Sequence, residues 1–342
     1  MSFLSRHFLD TLTSSCAVAQ GDSLVVAVSG GPDSMALLHL LAGVQGQLCL
    51  ELSAVWVDHG LRPLETEAER ELIAATAAKL NVPFISCQVD VVSFAAEHHL
   101  SIEHAARDLR YRALRKVAGA RQADYIAVAH TADDQAEEIL IRVLRGSGRK
   151  GVSGMRVRNA DLVRPLLLTE KKELLEWLTA QKISFCLDSS NDDPKYIRNR
   201  VRHLLLPFLE KNFDEGIGKS LRKTADSLAM DESLLADLTK TAFSQVIASR
   251  SEPGEEKSAR LLRQPFCLLH QALQRRVVEQ LLWELGGTAS YDHIMAVCRT
   301  AASGRNKSEL HLCRGLRVGV FREYLEFTYP VGHTPWRGRL FT

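Results

Sequence analysis

The stretch VVAVSGGPDSMALL, residues 25–38, decides the fold of this chain because it joins a buried strand to a helix through a glycine turn. An apolar run without alternation precedes Gly30 and Gly31, and apolar residues at helical spacing follow them. Adjacent glycines let the backbone turn tightly and expose its N–H groups at a helix N-terminus, where the helix dipole favours negative charge. The segment therefore predicts an anion-binding turn after a parallel strand.

The first half of the chain repeats this alternation of short apolar runs and longer stretches with helical periodicity. The predicted strands are 23–28, 50–57, 83–89 and 124–129, and the predicted helices are 33–41, 64–80, 101–118 and 133–144. This order predicts an α/β fold with a doubly wound, mainly parallel sheet, in which ligands bind beyond the carboxyl ends of the strands. The segments SGGPDS, DHGLR and AHTADD each follow a predicted strand, so we expect them at one edge of the sheet.

After residue 199 the pattern changes to helices and then to short alternating strands. Predicted helices at 200–209, 216–241, 266–285 and 290–300 precede predicted strands at 308–313, 316–321 and 324–329. The chain thus divides into 1–215, the α/β domain, and 216–342, a smaller helical and α+β domain. The loop SRSEPGEEKS, 249–258, is predicted to be a hinge or linker, and 331–342 has no predicted place.

Composition places the chain among ordinary folded proteins. Of the 342 residues, 46% are hydrophobic and 25% are charged, which argues against disordered and disulfide-stapled chains. The seven cysteines include no C-x-x-C pair, which disfavours a disulfide framework, a zinc ribbon and an iron–sulfur cluster. No apolar run has the length of a membrane span and the N-terminus lacks a signal-peptide pattern, so we expect a cytoplasmic protein without a membrane partner.

Asp33 distinguishes the glycine turn from the commonest phosphate-binding loop. The segment has no lysine and lacks the Walker A spacing. A carboxylate repels phosphate unless a divalent cation stands between them, so the loop implies Mg²⁺ together with a nucleotide. The alternative is an ordinary strand-to-helix turn in which Asp33 or Ser34 caps the helix.

A second glycine motif, GSGRKG at 146–151, matches the dinucleotide-binding fingerprint in its letters alone. That fingerprint follows a strand and opens a helix, whereas this segment follows a predicted helix. We interpret it as a flexible loop whose charged residues Arg145, Arg149 and Lys150 are candidates for contacts with RNA phosphates.

Two charged clusters are candidates for binding a small substrate. On helix 101–118, Glu103, Arg107 and Arg110 share a face, which suits a phosphate or carboxylate ligand, or alternatively an exposed ladder of ion pairs. Four acids lie within 133–138 and suit a cationic ligand, although stabilisation of a helix N-terminus also explains them.

A third cluster is basic, although the formal net charge of the whole chain is only +2. Between residues 195 and 223, eight Lys or Arg stand against three acids. The cluster begins with KYIRNRVR, which contains Tyr196 and the cations Lys195, Arg198, Arg200 and Arg202. This pattern suits contacts with RNA phosphates and stacking on a base, and a solvated charged face is the alternative.

Six motifs in a fixed order resemble one enzyme family. They are SGGPDS at 29–34, VDHGLR at 57–62, EHAARDLRYRAL at 103–114, AHTADDQAEEILIRVLRGSGRKGVSGM at 129–155, RPLL at 164–167 and DSSNDDPKYIRNRVRHLLLP at 188–207. The first resembles the pyrophosphatase loop of the N-type ATP pyrophosphatase superfamily, and the whole set resembles the tRNA(Ile)-lysidine synthase family. The resemblance implies an adenine nucleotide alpha hydrolase-like fold for the first domain and tRNA recognition by the second.

The reaction that this resemblance implies is a ligation that uses ATP and Mg²⁺. The enzyme would adenylate the C2 oxygen of the wobble cytidine in tRNA(Ile) with a CAU anticodon and release pyrophosphate. The ε-amine of free L-lysine would then displace AMP to form lysidine. No residue in the sequence is an evident base for this amine, whose ordinary pKa of about 10.4 requires loss of a proton before attack. The resemblance does not decide whether the protein forms a homodimer.

The resemblance also implies roles for individual residues. The nucleotide would be bound by Ser29, Gly30, Gly31, Pro32, Asp33, Ser34 and His59, with Asp33 also the Mg²⁺ ligand. The catalytic residues would be Asp33, Arg107, Arg110, Asp134 and Glu137, and the last three of these would bind lysine. RNA would be bound by Arg145, Arg149, Lys150, Lys195, Arg198, Arg200 and Arg202. For His59, a helix cap or a core histidine is the alternative.

Two departures from the family pattern and three competing functions remain open at this point. Glu138 stands where the family usually has Thr, which leaves open which carboxylate meets lysine, and Ser189 stands where Pro is usual. The competing functions are a tRNA cytidine thiolase, a small-molecule amidating synthetase and an RNA-binding module without catalysis. The missing C-x-x-C pair counts against the thiolase, and the DSSN to RNRVR block counts against the small-molecule synthetase. The intact SGGPDS loop counts against a module without catalysis.

Overall fold

The computed structural model describes residues 2–60, 63–186, 196–251, 258–287, 290–303, 305–312 and 315–328. The chain forms two compact units, Met1–Ala229 and Met230–Thr342. The sequence predicted a boundary after residue 215, whereas this division falls within a long helix, Ile217–Val246. Lys195, Ser189 and the stretch 331–342 lie outside the described residues.

The first unit contains a sheet of six strands. They are β1 (Ser23–Ala27), β2 (Glu51–Asp58), β3 (Phe84–Gln88), β4 (Tyr125–Ala127), β5 (Arg158–Asn159) and β6 (Leu162–Val163). The order is β3-β2-β1-β4-β6-β5, and every neighbouring pair is parallel except β5 with β6. Strand β1 lies between β2 and β4, where the order of the strands reverses, and such a switch point is where doubly wound sheets bind ligands.

The helices of this unit connect and flank the strands. They are α1 (Phe3–Asp10), α2 (Pro32–Leu48), α3 (Pro63–Lys79), α4 (Val91–His98), α5 (Ile102–Arg121), α6 (Ala132–Leu144), α7 (Arg149–Val152), α8 (Lys171–Ala180), α9 (Ile197–Arg200) and α10 (Leu206–Asn212). Among the described residues, Thr11–Ser15 and Val201–Leu205 form π-helical turns. The long helix Ile217–Val246 is α11. No helix in the described ranges is long and apolar enough to cross a membrane.

Apolar side chains cover both faces of the parallel sheet, which explains why its central strand reads as apolar without alternation. Leu24 and Val26 of β1 pack into one core cluster, which includes Leu37 of α2. Val25 belongs to a second cluster with Leu114 of α5. All five side chains are fully buried. This packing fixes β1 at the centre of the unit, so the loop that follows it lies at a rigid position.

In the described part of the second unit, five strands form an antiparallel sheet, although the sequence predicted three. The strands are β7 (Ile247–Arg250), β8 (Ser258–Leu262), β9 (Ser308–His311), β10 (Arg317–Val320) and β11 (Tyr324–Thr328), in the order β7-β8-β11-β10-β9. The other described helices of the unit, besides the end of α11, are α12 (Arg263–Leu268), α13 (Gln271–Glu284) and α14 (Tyr291–Ala302). The prediction of a linker at 249–258 was wrong, because the strands on either side of 252–257 pair with each other.

A buried ion pair joins two helices of the second unit. Arg276 Nη1 of α13 donates to Glu232 Oε1 of α11 at 2.9 Å, and a second hydrogen bond joins the same two groups. The side chains are 11% and 4% exposed. Little water reaches the pair, so solvent cannot stabilise the charge that remains when either partner is removed.

We expect Arg276→Met to lower the free energy of unfolding of the second unit by about 3 kcal/mol, because it leaves the Glu232 carboxylate buried without its guanidinium. Urea denaturation followed by circular dichroism measures this change. Arg275→Met is the matched control, because Arg275 meets Glu279 in a more exposed pair on the same helix. Equal stability of the Arg276 variant and the wild type would contradict the expectation.

Candidate active site

The loop after β1 is held in shape by its own serines and by a glycine with positive φ. Gly30 has φ of +82°, a conformation that side chains with a Cβ rarely adopt. The Ser29 backbone N–H donates to Ser34 Oγ at 3.1 Å, and Ser34 Oγ donates to the Gly31 carbonyl at 2.9 Å. Pro32 occupies the first turn of α2, where its missing N–H costs nothing. The loop thus presents backbone N–H groups at the start of a helix.

Asp33 lies in the first turn of α2 and is partly buried. Its Oδ1 is buried and accepts no hydrogen bond, whereas its Oδ2 lies 3.6 Å from Nζ of Lys171 on α8. Burial raises the pKa of the Asp33 carboxyl, and the Lys171 charge opposes this shift. The capping alternative is wrong for this helix, because Gly31 is the N-cap residue and no side chain caps it.

An unsatisfied carboxylate oxygen fits a role as a Mg²⁺ ligand. Magnesium usually binds one or two carboxylates together with substrate phosphates rather than a complete protein cage. Within the described ranges, no group of three or more His, Cys, Asp or Glu side chains could hold a metal ion. The donor set at Asp33 therefore fits a cation that arrives with a nucleotide.

His59 follows β2 directly, at the same edge of the sheet as the Asp33 loop. The neighbouring Asp58 Oδ1 accepts a hydrogen bond from Gly60 N at 2.8 Å, and Gly60 has positive φ, so the chain turns sharply at this point. His59 Nδ1 is buried. The nucleotide-binding role of His59 stays a prediction.

Asp134 and Glu137 form the centre of a charged network at the start of α6. Arg198 Nη2 and Arg202 Nη2 donate to Asp134 Oδ1 at 2.9 and 3.1 Å. Arg198 Nε donates to Glu137 Oε2 at 2.9 Å, and Arg202 Nε donates to Glu137 Oε1 at 2.6 Å. The Glu137 side chain is 2% exposed and that of Asp134 is 14% exposed. Two carboxylates and two guanidinium groups therefore compensate one another in a largely buried cluster.

This network gives two of the four predicted RNA-binding cations, Arg198 and Arg202, partners within the protein, and the RNA-binding role of the segment stays a prediction. The side chains of Arg198 and Arg202 point inward to the carboxylates, and Arg200 between them is exposed. Burial lowers the pKa of Arg198, but the two carboxylates outweigh it and raise the pKa above its usual value. Burial raises the pKa of Asp134, but the charge of Arg198, the hydrogen bond from the Thr131 N–H and the charge of Arg202 outweigh burial and lower it, so the carboxyl stays ionised.

Glu138, the departure from the family pattern, is bound elsewhere. Arg142 Nε donates to Glu138 Oε1 at 2.6 Å, and Arg142 Nη1 donates to the Gly151 carbonyl at 2.6 Å. The added negative charge thus has its own partner one turn along α6. The contact also links α6 to the GSGRKG segment.

The GSGRKG segment is more ordered than its sequence predicted. It contains the one-turn helix α7 and follows α6, so it does not have the strand-loop-helix context of a dinucleotide site. Gly146 has φ of +68° just after the end of α6, as is common at helix C-termini. Arg145, Arg149 and Lys150 are exposed, and their role in RNA binding stays a prediction.

Arg107 and Arg110 of α5 lie near this network. The charge of Arg107 acts on His130, and the charge of Arg198 acts on Arg110. Arg110 is exposed, and desolvation by the surrounding protein atoms lowers the pKa of its guanidinium. Arg107 lies 5.3 Å from the ring centre of Tyr111. Arg112 points away and pairs with Asp108 at 3.5 Å.

His130 is a site residue that the sequence reasoning did not single out. It follows β4 in the segment AHTADD, and its Nδ1 is buried without a hydrogen-bond partner. Burial lowers the pKa of His130 to about 3, the Asp134 charge opposes the shift, and the charges of Arg164 and Arg198 reinforce it. Its place directly after a strand of the sheet was the signal that could have identified it.

We expect His130 to make the protein sensitive to acid. Because its pKa is lower in the folded state than the usual 6.5, its contribution to stability is complete above pH 6.5 and is lost as the pH falls towards about 3. His130→Asn should therefore flatten the pH dependence of the unfolding free energy, by at most about 1.4 kcal/mol per pH unit. Urea denaturation at pH 7, 6 and 5 measures this slope. His99→Asn, at an exposed position, is the control, and an unchanged slope in the His130 variant would contradict the expectation.

Comparison with known proteins now identifies the family. The PP-loop domain model ATP_bind_3 matches residues 4–209. The tRNA(Ile)-lysidine synthase of Bacillus subtilis is 32% identical over 332 residues, which cover 96% of this chain and 68% of that protein. The chain belongs to the tRNA(Ile)-lysidine synthase family. The resemblance seen in the sequence motifs is thereby confirmed, and the chain is placed among PP-loop ligases.

Other members of the tRNA(Ile)-lysidine synthase family agree with this assignment. The enzyme of Geobacter sulfurreducens is 35% identical over 311 residues, covering 90% of this chain and 65% of that protein. That of Thermosipho africanus is 40% identical over 211 residues, covering 62% and 49%. The chain spans about two thirds of the length of the B. subtilis and G. sulfurreducens relatives.

Among solved structures, the chain resembles the U34-tRNA thiolase NcsA from Methanococcus maripaludis with its [4Fe-4S] cluster. The TM-score is 0.53 at 17% identity, over 66% of this chain and 77% of the thiolase. At this identity the likeness concerns the fold alone. It confirms the predicted mainly parallel α/β fold of the synthase family, with a further smaller region of helices and antiparallel sheet.

Proposed function

We propose that this protein ligates free L-lysine to C2 of the wobble cytidine of tRNA(Ile) with a CAU anticodon. In the first step the C2 oxygen attacks the α-phosphorus of ATP, and the bond to pyrophosphate breaks. In the second step the ε-amine of lysine attacks C2, the C2–O bond breaks, and AMP leaves with the oxygen. The observation that carries this proposal is the ordered Asp33 loop beside the Asp134 and Glu137 pair, in a chain of this family.

The loop after β1 supports the first step. Backbone N–H groups at Gly30 and Gly31 and the start of α2 suit the oxygens of a leaving pyrophosphate, and the Ser34 hydroxyl holds the loop in shape. Asp33 would hold Mg²⁺, which neutralises negative charge on the phosphates. The chain's own contribution is to fix these donors before the nucleotide binds, because donors that are already in place need no rearrangement during the reaction.

The network around Asp134 supports the second step. A lysine substrate offers two amines to the carboxylates and a carboxylate to an arginine such as Arg110. Because Arg198 and Arg202 already balance Asp134 and Glu137, an amine bound there meets no net negative charge from these four residues. The carboxylates therefore do not raise the amine pKa as they would alone, which makes loss of its proton easier.

The exposed cations suit the tRNA as the second substrate. Arg145, Arg149, Lys150 and Arg200 are exposed, as contacts with RNA phosphates require. The anticodon loop is single-stranded, so its wobble base can be splayed into a cleft at small energetic cost. We place the reaction in the cytoplasm, where tRNA, ATP and free lysine occur together, and the homodimer stays a prediction.

Incubation of the protein with ATP, Mg²⁺, radiolabelled lysine and a transcript of tRNA(Ile) with the CAU anticodon tests the proposal. We expect label in the RNA, and none when the wobble cytidine of the transcript is replaced. A parallel reaction with a labelled sulfur donor should leave the RNA unlabelled. Label from the sulfur donor but not from lysine would reject the lysine assignment and favour a thiolase.

A further inference from the structure

The Asp33 loop has no lysine of its own, but the fold brings one to it from another part of the chain. Lys171 is the first residue of α8, and its Nζ lies 3.6 Å from Asp33 Oδ2. Its side chain is 35% exposed, so it borders both the carboxylate and the solvent from which a nucleotide enters. The sequence places these two residues far apart, and no motif links them.

Several contacts of the backbone fix the position of Lys171. Its N–H donates to Asp133 Oδ2 at 2.7 Å, and the Ala132 N–H donates to the Thr169 carbonyl at 2.9 Å. Further along α8, Leu174 and Leu178 are fully buried in the core cluster that also contains residues of α2. The start of α8 is thus held against both the acidic turn of α6 and the helix that carries Asp33.

We propose that Lys171 binds the β- and γ-phosphate oxygens of the nucleotide and stabilises the pyrophosphate that leaves. This inference rests on the proposed use of ATP at the Asp33 loop. Without a nucleotide, the ammonium group pairs with Asp33. Asp33 would be the residue that holds the metal ion, and the Lys171 ammonium group would then donate to the phosphates, whose negative charge exceeds the positive charge of one divalent cation. In this role the Lys171 ammonium group donates hydrogen bonds to the phosphate oxygens and takes no part in the bond changes at the α-phosphorus.

Binding of pyrophosphate and of AMP in the presence of Mg²⁺, measured by isothermal titration calorimetry, tests the inference. Lys171→Met should weaken pyrophosphate binding by at least about tenfold, because it removes charge-assisted hydrogen bonds to the ligand. AMP lacks the β- and γ-phosphates, so its binding should change by less than about twofold by the same reasoning. Lys172→Met is the matched control, because Lys172 is the next residue of α8 and is exposed.

Lys171→Gln, which keeps a polar side chain, is a second variant with the same expected result, and it serves if the methionine variant folds poorly. Pyrophosphate binding equal to that of the wild type in a folded variant would overturn the inference. An equal loss of pyrophosphate and AMP binding would also overturn it, because Lys171 would then merely support the loop. The assay contains neither tRNA nor lysine. Failure of lysine ligation alone would therefore reject the proposed function and leave this inference standing.

Discussion

Replacing Asp33 by alanine should reduce pyrophosphate release by at least about a hundredfold, because the variant loses the metal ligand while negative charge develops on the leaving group. The structure gives this residue an unusual environment. Its Oδ1 is buried without a hydrogen bond, and the other oxygen has only an ammonium group at 3.6 Å among the contacts described for it. A colorimetric pyrophosphate assay with saturating tRNA and lysine measures the effect.

Glu71→Gln is the control for the Asp33 variant, because Glu71 is an exposed acid on α3. It should retain the wild-type rate. Thermal unfolding distinguishes loss of the ligand from loss of the fold, since Asp33 makes no hydrogen bond that caps α2. A folded Asp33→Ala variant with undiminished pyrophosphate release would show that the loop after β1 does not hold the metal ion.

Asp134→Asn should raise the KM for lysine by at least about tenfold and change the KM for ATP by less than about threefold, because the network of two arginines and one remaining carboxylate would carry a net positive charge that repels the cationic substrate. Asparagine keeps the oxygen that accepts from the Thr131 N–H at 2.8 Å, so the cap of α6 can persist. Glu137 still meets Arg198 and Arg202 in this variant. Steady-state kinetics with each substrate varied in turn measures the split.

Glu138→Gln is the matched control, because Glu138 is the neighbouring acid and pairs with Arg142 instead of the central arginines. Its KM for lysine should stay within about twofold of that of the wild type, since an ion pair outside the site contributes little to binding. An equal loss of affinity for lysine and ATP in Asp134→Asn would contradict the role of Asp134 in lysine selection.

The phosphate loop and the parallel sheet could be predicted from the sequence because their signals are local. The apolar run before Gly30 and the helix that starts at Pro32 lie within one short segment. Short elements were predicted poorly. Strands β5 and β6 have two residues each, and α4 and α8 fell between the predicted elements, because a few residues carry too little periodicity.

The contacts that shape the site could not be predicted, because they join distant parts of the chain. Arg198 and Arg202 read as an RNA-binding segment, yet they meet carboxylates more than sixty positions away. A charged residue in a sequence shows neither which way its side chain points nor which residue it pairs with. Lys171 was missed for the same reason, since its role depends on the packing of α8 beside α2.

The hairpin of β7 and β8 shows the opposite error. Its connecting segment is rich in Ser, Glu and Gly, a composition shared by linkers and by tight connections between strands. The pairing of Ile247 with Leu261 and of Arg250 with Ala259 distinguishes a connection between paired strands from a linker. The composition of 249–258 did not show that paired strands stand on either side of 252–257.

A labelling chase with [α-³²P]ATP tests the two-step ligation most directly. Incubation of the protein with the labelled ATP, Mg²⁺ and the CAU-anticodon transcript, but without lysine, should attach labelled AMP to the RNA. Addition of unlabelled lysine should then release this label as free AMP, and the wobble nucleoside should have the mass of lysidine afterwards. RNA that never acquires labelled AMP, or attached AMP that a sulfur donor releases and lysine does not, would contradict the account.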